Sequence, residues 1–315
     1  MSAKVNAKVS APVLPPCVTV LERGWLSANG IVFSGPQGTA LVDSGYHTHA
    51  AQTRALVDNA LAGQPLGLLI NTHLHSDHCG GNAALQQRYP GLHTAIPPGQ
   101  VAQVQTWCAA ALGFTAAGQQ CPPFRYTSVL RPGSEMQLGT RAWQVHAAPG
   151  HDPHSVVLFE PQSRVLIAAD ALWHNGFGVV FPELDGIHAF EEVRATLALI
   201  TTLAPRTVIP GHGSVFCDVE AALERAQRRL DSFVCSPRKH AHYAAKVLLK
   251  FKLLELQRVP LPQLTAWASD TPHLVTLHAG YFCAVGSLPV WVHTLVDDLV
   301  RSGAARLEGG DVVNV

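Results

Sequence analysis

The sequence predicts an α/β protein whose strands and helices alternate through most of the chain and give way to a helical region near the carboxyl end. Three observations support this prediction. Short apolar runs with turn residues between them recur from residue 17 to residue 213, as expected for strands. Segments with helical spacing of apolar residues lie between several of these runs. Strands with helices interleaved in this way are typical of a layered α/β architecture.

The first part of the chain contains clear strand and helix patterns. Residues 1–16 are rich in proline and alanine, and we expect this tail to be mobile. Strands are predicted at 17–22, 30–35, 39–45 and 66–72. Helical spacing predicts helices at 47–62 and 83–89. The stretch 97–125 is interpreted as a helix plus a loop.

The second part continues the alternation up to a boundary. Strands are predicted at 135–139, 141–150, 154–160, 164–170 and 207–213, and helices at 189–203 and 218–233. The dipeptide Ser236-Pro237 divides the chain into a first domain at 17–236 and a C-terminal region at 237–315. In that region we predict helices at 240–256, 261–269, 276–285 and 289–300, and a terminal hairpin that turns at Gly309-Gly310. Helices followed by a small hairpin resemble a winged-helix module.

Composition and charge argue against several classes of protein. Lysine plus arginine equals aspartate plus glutamate, 22 of each, so the chain has no large basic footprint for nucleic acid, although a local patch is compatible with these numbers. No apolar run is long enough to span a membrane, and the amino-terminal segment lacks the apolar core of a secretory signal, so we expect a cytoplasmic location. The seven cysteines are scattered without a CxxC pair, which argues against a disulfide framework or a zinc ribbon.

The residues with the clearest chemical meaning lie in the stretch NTHLHSDHCGG, residues 71–81. His73 and His75 follow the predicted strand 66–72, and residues two apart on an extended chain point the same way. Two imidazoles at a strand end can therefore hold one cation. Divalent metals of borderline softness favour imidazole and carboxylate ligands.

The next turn supplies a second pair of donors. Asp77 and His78 can face a position close to the first cation, and Gly80 and Gly81 allow the tight backbone approach that the turn into a helix requires. The alternative is a cluster of surface or capping histidines, which the density of donor groups in one short segment disfavours. Cys79, directly after His78, is predicted to pack beneath the site rather than to bind metal.

Three further donors follow predicted strands. His151 comes after the strand 141–150 in a PGH sequence, Asp170 ends the strand 164–170, and His212 lies in a second PGH sequence after the apolar run TVI. A single histidine after a strand is more often an ordinary loop residue. Ligand types at four strand ends of one chain indicate instead that rigid edges deliver these side chains into one crevice.

The motif HLHSDH at 73–78, followed in order by His151, Asp170 and His212, resembles the metallo-β-lactamase-fold hydrolases over roughly residues 18–235. The resemblance implies an αββα sandwich of the metallo-β-lactamase type, with the site at one edge and the first domain as the catalytic one. The C-terminal winged-helix-like region is similar to the cap of lactamase-β-2-type proteins.

The resemblance also implies roles for the matching residues. One metal ion would be held by His73, His75 and His151, the second by Asp77, His78 and His212, with Asp170 as the bridge between both. Asp43 matches a position that supports the site without binding metal. An aspartate at 170 resembles the glyoxalase II, lactonase and phosphodiesterase branches more than the zinc β-lactamases, which commonly have cysteine or serine there. Zinc is the expected metal, and iron or manganese would also suit these nitrogen and oxygen donors.

The expected function is that of a metal-dependent hydrolase. Two divalent cations close together lower the pKa of a bridging water, and the resulting hydroxide attacks a carbonyl or phosphoryl centre. Asp77 would also orient this hydroxide. The expected substrates are small esters, thioesters or lactones. A phosphodiesterase or endoribonuclease is the alternative among enzymes, and a fold member that binds metal or a metabolite without turnover is the alternative outside them.

Candidates for the substrate pocket or for support of the ligands follow two of the donors: Trp173, His174 and Phe177 after Asp170, and Asp152 and His154 after His151. The first three are expected to line the entrance, because their loop leaves directly from the bridging ligand. Asp152 stands where the family usually has threonine, and it would either orient His151 or be a solvated turn residue. His154 is expected just outside the ligands.

The C-terminal region is predicted to be a cap or a dimer element. His240 and His242 are interpreted as a solvated helix start. Lys246, Lys250 and Lys252 follow one helix whose other face is apolar, which is typical of a solvated charge row rather than of an RNA-binding stripe. The expected partner is therefore a small-molecule substrate, with homodimerisation as a further expectation and nucleic acid as the weaker alternative.

Overall fold

The computed structural model describes residues 12–315. The prediction of a mobile tail at 1–16 therefore lies mostly outside the described residues. Residues 12–15 have no regular secondary structure, yet Leu14 packs against the core of the first domain, and the carbonyl of Pro15 accepts a hydrogen bond from the backbone N–H of Val18. This end of the described chain is thus attached to the first strand.

The strands of residues 12–315 form three sheets. The first sheet contains, in spatial order, β1 (Val18–Leu21), β2 (Gly30–Gly35), β3 (Gly38–Val42), β4 (Leu68–Ile70), β5 (His93–Ile96) and β6 (Ser128–Val129). It begins antiparallel and becomes parallel from β3 onward. The second sheet contains β7 (Glu135–Leu138), β8 (Arg141–Ala147), β9 (Val156–Glu160), β10 (Val165–Ala169) and β11 (Thr207–Pro210), of which only β10 and β11 pair in parallel.

Helices cover both sheets and make up most of the C-terminal region. They are α1 (Ala50–Ala60), α2 (Ser76–Cys79), α3 (Asn82–Arg88), α4 (Val101–Thr106), α5 (Phe181–Leu184), α6 (Phe190–Leu203), α7 (Val219–Cys235), α8 (Pro237–Leu256), α9 (Leu261–Ser269), α10 (Pro272–Leu277) and α11 (Leu288–Arg301). Within residues 12–315 no single helix has the length and apolarity to cross a bilayer. Two consecutive helical segments, Pro272–Val285 and Leu288–Arg301, would be long and apolar enough if taken together, but they are bent by 90° relative to each other.

The two large sheets pack face to face, with helices on their outer faces. Phe33 and Trp143 meet edge to face between the sheets, with ring centroids 5.3 Å apart, and both are fully buried. Each such side chain contributes about 1.5–3 kcal/mol through the apolar surface that it removes from water. Helices α1 and α3 cover the first sheet, and α6 and α7 cover the second. The predicted αββα sandwich is therefore confirmed.

The central strand β9 shows why its sequence is apolar throughout. Every residue of Val156–Glu160 is buried, because one face packs on the opposite sheet and the other on helices. Val156 and Leu158 point to the opposite sheet, whereas Val157 and Phe159 point to α6 and α7. A strand that is covered on both faces has no polar side to alternate with.

The C-terminal region has its own apolar core, formed by α8–α11 and by a small third sheet. That sheet consists of β12 (Arg258–Pro260), β14 (Asp311–Asn314) and β13 (Ala305–Glu308), in this order. The predicted hairpin is present, and Gly309 and Gly310 both have positive φ at its turn. Only Ser236 separates α7 from α8, so the boundary predicted there joins two long helices, and the division into two domains stays a prediction.

Two predictions about polar side chains of α8 were wrong. His240 is buried, and its Nε2 accepts a hydrogen bond from the backbone N–H of Val180 at 3.1 Å, so this histidine joins α8 to the first domain. Lys250 is half-buried, and its Nζ donates to the carbonyl oxygens of Ala304 and Val315. The lysine row is therefore not simply a solvated face, because part of it ties α8 to the terminal hairpin.

Some elements were missed or misplaced because tertiary contacts create them. Strands β5, β6 and β12 were not predicted, and all three are short and are defined mainly by pairing with a neighbour. The helix predicted at 276–285 instead begins at Pro272, as α10, and continues as a π turn at His278–Phe282 and a 3₁₀ turn at Cys283–Val285. Gly286, at φ 133°, ends this segment.

The two glycines after the HLHSDH motif lie where the backbone leaves no room for a side chain. A Cβ at Gly80 would lie 2.5 Å from the carbonyl oxygen of Ser76, and one at Gly81 would collide with the carbonyl oxygen of Ser44. Because both contacted atoms belong to the backbone, the clash cannot be relieved by rotating a side chain.

We expect Gly81→Ala to lower the free energy of unfolding by about 1–3 kcal/mol, because the added methyl group must push apart two backbone segments. Urea denaturation followed by tryptophan fluorescence measures this change. Gly91→Ala is the matched control, since a Cβ there meets no atom within 4 Å, and it should change the stability by less than about 0.5 kcal/mol. Equal stability of the two variants would contradict the assigned packing.

Candidate metal centre

Seven side chains with nitrogen or oxygen donors meet at the carboxyl ends of strands from both large sheets. They form two groups, in each of which the donor atoms all lie within 4.8 Å of one another: His73, His75 and His151, and Asp77, His78, Asp170 and His212. The first four donors along the chain follow β4 of one sheet, and the segments after β8, β10 and β11 of the other sheet complete the set. The residues singled out from the sequence are thus brought together in space.

The first group has the spacing of ligands around one cation. The Nδ1 atom of His75 lies 3.1 Å from Nε2 of His73 and 2.8 Å from Nε2 of His151, and the last two atoms are 3.2 Å apart. Tetrahedral zinc with nitrogen ligands at about 2.0–2.1 Å separates those nitrogens by about 3.3 Å. Burial holds the pKa values of His73 and His75 well below the usual range, so these imidazoles are neutral and present lone pairs.

The second group shares a carboxylate with the first. Oδ1 of Asp170 lies 3.4 Å from Nε2 of His78 and 3.8 Å from Nε2 of His212, while its Oδ2 lies 3.3 Å from Nε2 of His151. Nε2 of His212 is also 3.0 Å from Oδ2 of Asp77. Asp170 therefore offers one oxygen to each group. Among the described residues, the buried Nε2 of His78 has no hydrogen-bond partner, as expected for an atom whose partner is a cation.

Asp43 fixes the orientation of His78 from behind. Its Oδ2 lies 2.7 Å from Nδ1 of His78, and the carboxylate also accepts hydrogen bonds from the backbone N–H and the hydroxyl of Thr72. This contact leaves Nε2 of His78 directed at the second group. Burial by itself would lower the pKa of His78, but the carboxylates of Asp170, Asp43 and Asp77 outweigh it and hold that pKa well above the usual value.

Unusual backbone conformations direct two of these carboxylates. Asp43 itself has φ 58°, and Ala169, directly before Asp170, has φ 46° at a register shift in β10. Neither residue is a glycine, so each conformation is strained. Gly211 completes the arrangement, because a Cβ there would collide with Oδ1 of Asp170, and its N–H donates to the carbonyl of Ala169 at 2.7 Å.

Two residues of the site carried no signal in the sequence. The side-chain amide of Asn29 donates to the carbonyl oxygens of Pro210 and Gly213 and so fixes the loop that carries His212. The indole of Trp25 stacks on His212, with centroids 5.2 Å apart and the rings 7° from parallel. Both belong to the segment before β2, which has no motif spacing, so only the fold shows their role.

The residues after Asp170 do not all face the site. Trp173 donates from Nε1 to Oδ1 of Asp170 at 3.1 Å, and with His174 it lines a cavity of about 660 Å³ beside His212. The prediction that Phe177 lines the entrance was wrong. Its ring is buried against Phe233 in the apolar layer beneath α7, because the loop turns inward after residue 176.

The prediction for Asp152 was also wrong, in both of its forms. Asp152 is buried rather than solvated, and burial raises its pKa. Its Oδ2 lies 3.8 Å from Nε2 of His75, whereas Nδ1 of His151 donates to the carbonyl oxygen of Val179 at 2.5 Å. Oδ1 of Asp152 accepts the backbone N–H of His154, whose ring lies against Gly99 and lines a second cavity, of about 300 Å³, beside His75.

Cys79 packs beneath the second group, as predicted. It is fully buried between the first sheet and the segment that follows α4, and its Sγ lies 3.8 Å from Sγ of Cys121. Burial raises its pKa well above the ordinary value, so the sulfur is a neutral thiol. It therefore acts as an apolar group under the helix α2 that carries Asp77 and His78.

Comparison with known proteins points to one family. A family model described as the metallo-beta-lactamase superfamily matches residues 23–212. A hydroxyacylglutathione hydrolase of Nostoc sp. is 28% identical over 164 residues, which are 50% of this chain and 52% of the relative, so the chain matches about half the length of that relative. The acyl-coenzyme A thioesterase MBLAC2 of Gallus gallus is 25% identical over 218 residues, 62% of this chain and 77% of the relative.

Solved structures agree in fold. A metallo-beta-lactamase family protein from Thermus thermophilus superposes with a TM-score of 0.59 at 18% identity and covers 96% of this chain and 100% of its own. A beta-lactamase domain protein from Burkholderia ambifaria has the same TM-score of 0.59 at 22% identity, with coverage of 85% and 88%. At these identities the likeness concerns the fold alone.

We expect Asp43→Asn to weaken metal binding about 10–100-fold, because an amide cannot replace the carboxylate that accepts from both His78 and Thr72. Competition with a chromophoric chelator measures this affinity. Asp58→Asn is the matched control, since that carboxylate pairs at the surface with Arg88 and Tyr89. If Asp43→Asn bound metal as tightly as the control, Asp43 would not support the site.

Proposed function

Because the chain belongs to the metallo-beta-lactamase superfamily, we propose that it is a dinuclear metal-dependent hydrolase of small thioesters, esters or lactones. The observation that carries this proposal is the Asp170 carboxylate, which offers one oxygen to each donor group. A carboxylate in this position is suited to hold two cations at a fixed separation. The non-catalytic alternative is disfavoured because both donor groups are complete.

The donor set decides which cations fit. His73, His75 and His151 would hold one ion, and Asp77, His78 and His212 the other, with Asp170 shared. All donors are nitrogen or oxygen atoms, which suit zinc best and also suit iron or manganese. Two such ions would supply Lewis acidity towards the scissile carbonyl and would lower the pKa of a water to near neutrality.

Asp77 is the residue that we propose to orient the attacking water. Its side chain is 13% exposed against 6% for Asp170, so it faces the open side of the site. Burial alone would raise its pKa, but His78 and His212 outweigh this and lower the pKa below the ordinary value. The carboxylate is therefore charged at neutral pH and accepts a hydrogen bond.

The surroundings of the site favour an acyl substrate with a long leaving group. One cavity, with Trp25 and Trp173 on its wall, lies beside His212, and another, with Phe181 on its wall, lies beside His75. A bond at the metal centre would thus have one half of the substrate in each cavity. Two of the relatives bear names in which an acyl group is carried by a thiol compound, glutathione or coenzyme A, which supports a thioester.

We expect the double variant His73→Ala/His75→Ala to lose metal from the first group and to lose at least about 100-fold in hydrolysis, more than the loss typical of residues that only orient ligands. Metal content by elemental analysis and turnover of a thioester measure the two effects. His93→Ala, at the exposed start of β5, is the control. Full retention of metal by the double variant would count against the assignment.

A substrate panel on metal-quantified protein tests the reaction class. We expect turnover of an aliphatic thioester and of a lactone to exceed that of bis-p-nitrophenyl phosphate by about 100-fold or more in kcat/KM, since discrimination between reaction types reflects differential transition-state binding. The reverse order would establish the phosphodiesterase alternative. Turnover of none of them at full metal content would establish the non-catalytic alternative.

A further inference from the structure

A groove leads away from the metal centre along helix α8. We propose that the thiol part of the substrate carries a phosphorylated nucleotide, as coenzyme A does, and that this groove binds it. The inference rests on the proposed thioester hydrolysis and names its leaving group. The groove is defined here as the three cavities whose walls meet at Trp25, Trp173, Tyr243 and Lys246.

The three cavities form one continuous path. The cavity of about 660 Å³ beside His212 shares Trp25, Trp173 and Tyr243 with a neighbour of about 280 Å³. That neighbour shares Tyr243 and Lys246 with a third cavity, of about 460 Å³, at the amino-terminal end of α8. Because each pair of cavities has wall residues in common, a single elongated molecule can lie in all of them.

The far end of the groove is basic. Among the residues that the structure describes, its wall contains Arg238, Lys239 and Lys246 and no carboxylate. Within residues 12–315 no carboxylate oxygen lies within 4.0 Å of the charged groups of these three side chains, although most other lysines and arginines of the C-terminal region are paired. Cations without an acidic partner are available to phosphate oxygens.

The helix presents these groups along one face. Lys239, Tyr243 and Lys246 are separated by four and three residues, which places them on the same side of α8. The path from Lys246 to Arg238 covers about 12 Å at 1.5 Å per residue. A fourth cation, Arg229, lines the groove near the metal centre. Its guanidinium donates to the carbonyl oxygen of Phe177 at 3.2 Å and lies over the ring of Tyr243, 5.2 Å from the centroid.

The middle of the groove is apolar, which distinguishes between anionic occupants. Its wall contains Val247, Phe251 and Leu254, together with Trp25, a residue that is 53% exposed. The one other cation there, Lys250, already donates to carbonyl oxygens. RNA carries a phosphate at every nucleotide and needs cations throughout. The groove has an apolar middle and a basic end. An uncharged linker that ends in a phosphorylated nucleotide, whose base can stack on aromatic rings, fits this order better than RNA does.

The opposite side of the metal centre lacks the lysines and arginines of the α8 groove. Among the described residues, the cavity of about 300 Å³ beside His75 is lined by the carboxylates of Asp152, Asp185 and Glu192, by the imidazoles of His154 and His273, and by apolar side chains such as Phe114 and Phe181. Charge therefore assigns the acyl group to that cavity and the anionic leaving group to the α8 groove. Glutathione is anionic as well, but it is short and has no aromatic base for the tryptophan and tyrosine rings.

A binding measurement tests the groove without reference to turnover. We expect calorimetry to show binding of adenosine 3′,5′-bisphosphate to the full chain, weakened about tenfold or more in Arg238→Glu/Lys246→Glu because two charge-assisted contacts are lost. Arg131→Glu/Arg228→Glu, with the same change of charge outside these cavities, is the control. Absence of binding, or equal loss in the control variant, would overturn the inference.

Kinetics then test the link to the reaction, with one acyl group presented on coenzyme A, on glutathione and on N-acetylcysteamine. We expect the preference for coenzyme A over N-acetylcysteamine, taken as the ratio of kcat/KM values, to fall about tenfold in Arg238→Glu/Lys246→Glu, through KM rather than kcat. Lys246→Arg should keep the preference. A preference of the unaltered chain for glutathione, or cleavage of an RNA oligonucleotide that competes with the bisphosphate, would overturn the inference.

The outcomes separate the two proposals. If the N-acetylcysteamine thioester is hydrolysed but the bisphosphate does not bind, the thioesterase function stands and the groove assignment fails. If the bisphosphate binds and the charge variant loses it, while no thioester is hydrolysed, the groove is supported as a nucleotide site and the proposed function fails.

Discussion

One buried carboxylate joins the two halves of this structure. Asp170 lies among imidazoles that come from both sheets, within 3.3 Å of His151 and 3.4 Å of His78. Burying such a charge without partners costs several kcal/mol. The neighbouring histidines offset that cost, and they hold the pKa of Asp170 well below the usual range against the opposing effect of burial. The two sheets are therefore restricted to one relative position at this edge, because a shift of either sheet would separate the charged carboxylate from its histidines.

The rest of the sandwich makes this edge rigid. Strand ends carry the donors, and the strained backbone at Asp43 and Ala169 turns two carboxylates towards the centre. Strain of this kind persists only where the surrounding packing imposes it. The fully buried strands β9 and β10, which pack against a sheet on one face and helices on the other, supply that packing. The strained site is thus destabilising by itself, and burial of the apolar layers beneath it offsets this cost.

In the proposed function, the C-terminal region takes part in substrate binding as well as in the fold. Helix α8 buries one face in the core of that region, and it is joined to the first domain by the hydrogen bond between His240 and Val180. Its other face forms a wall of the groove beside the metal centre. Under this proposal, one helix relates the position of the scissile bond to that of the leaving group. Such an arrangement would give a common sandwich its own substrate preference through a change outside the sheets.

The sequence by itself singled out the donors and the alternation of strands and helices, because both depend on short-range patterns, whereas the αββα order and the grouping of the donors came from the family resemblance. Imidazoles two residues apart on a strand, and apolar runs of strand length, have the same meaning in any fold. Only the tertiary structure decided what each neighbour of the donors does. Trp25 reaches His212, and His240 reaches Val180, across long stretches of chain, while Phe177 turns inward and Asp152 faces His75. Such contacts depend on how whole elements pack, and no local spacing records that.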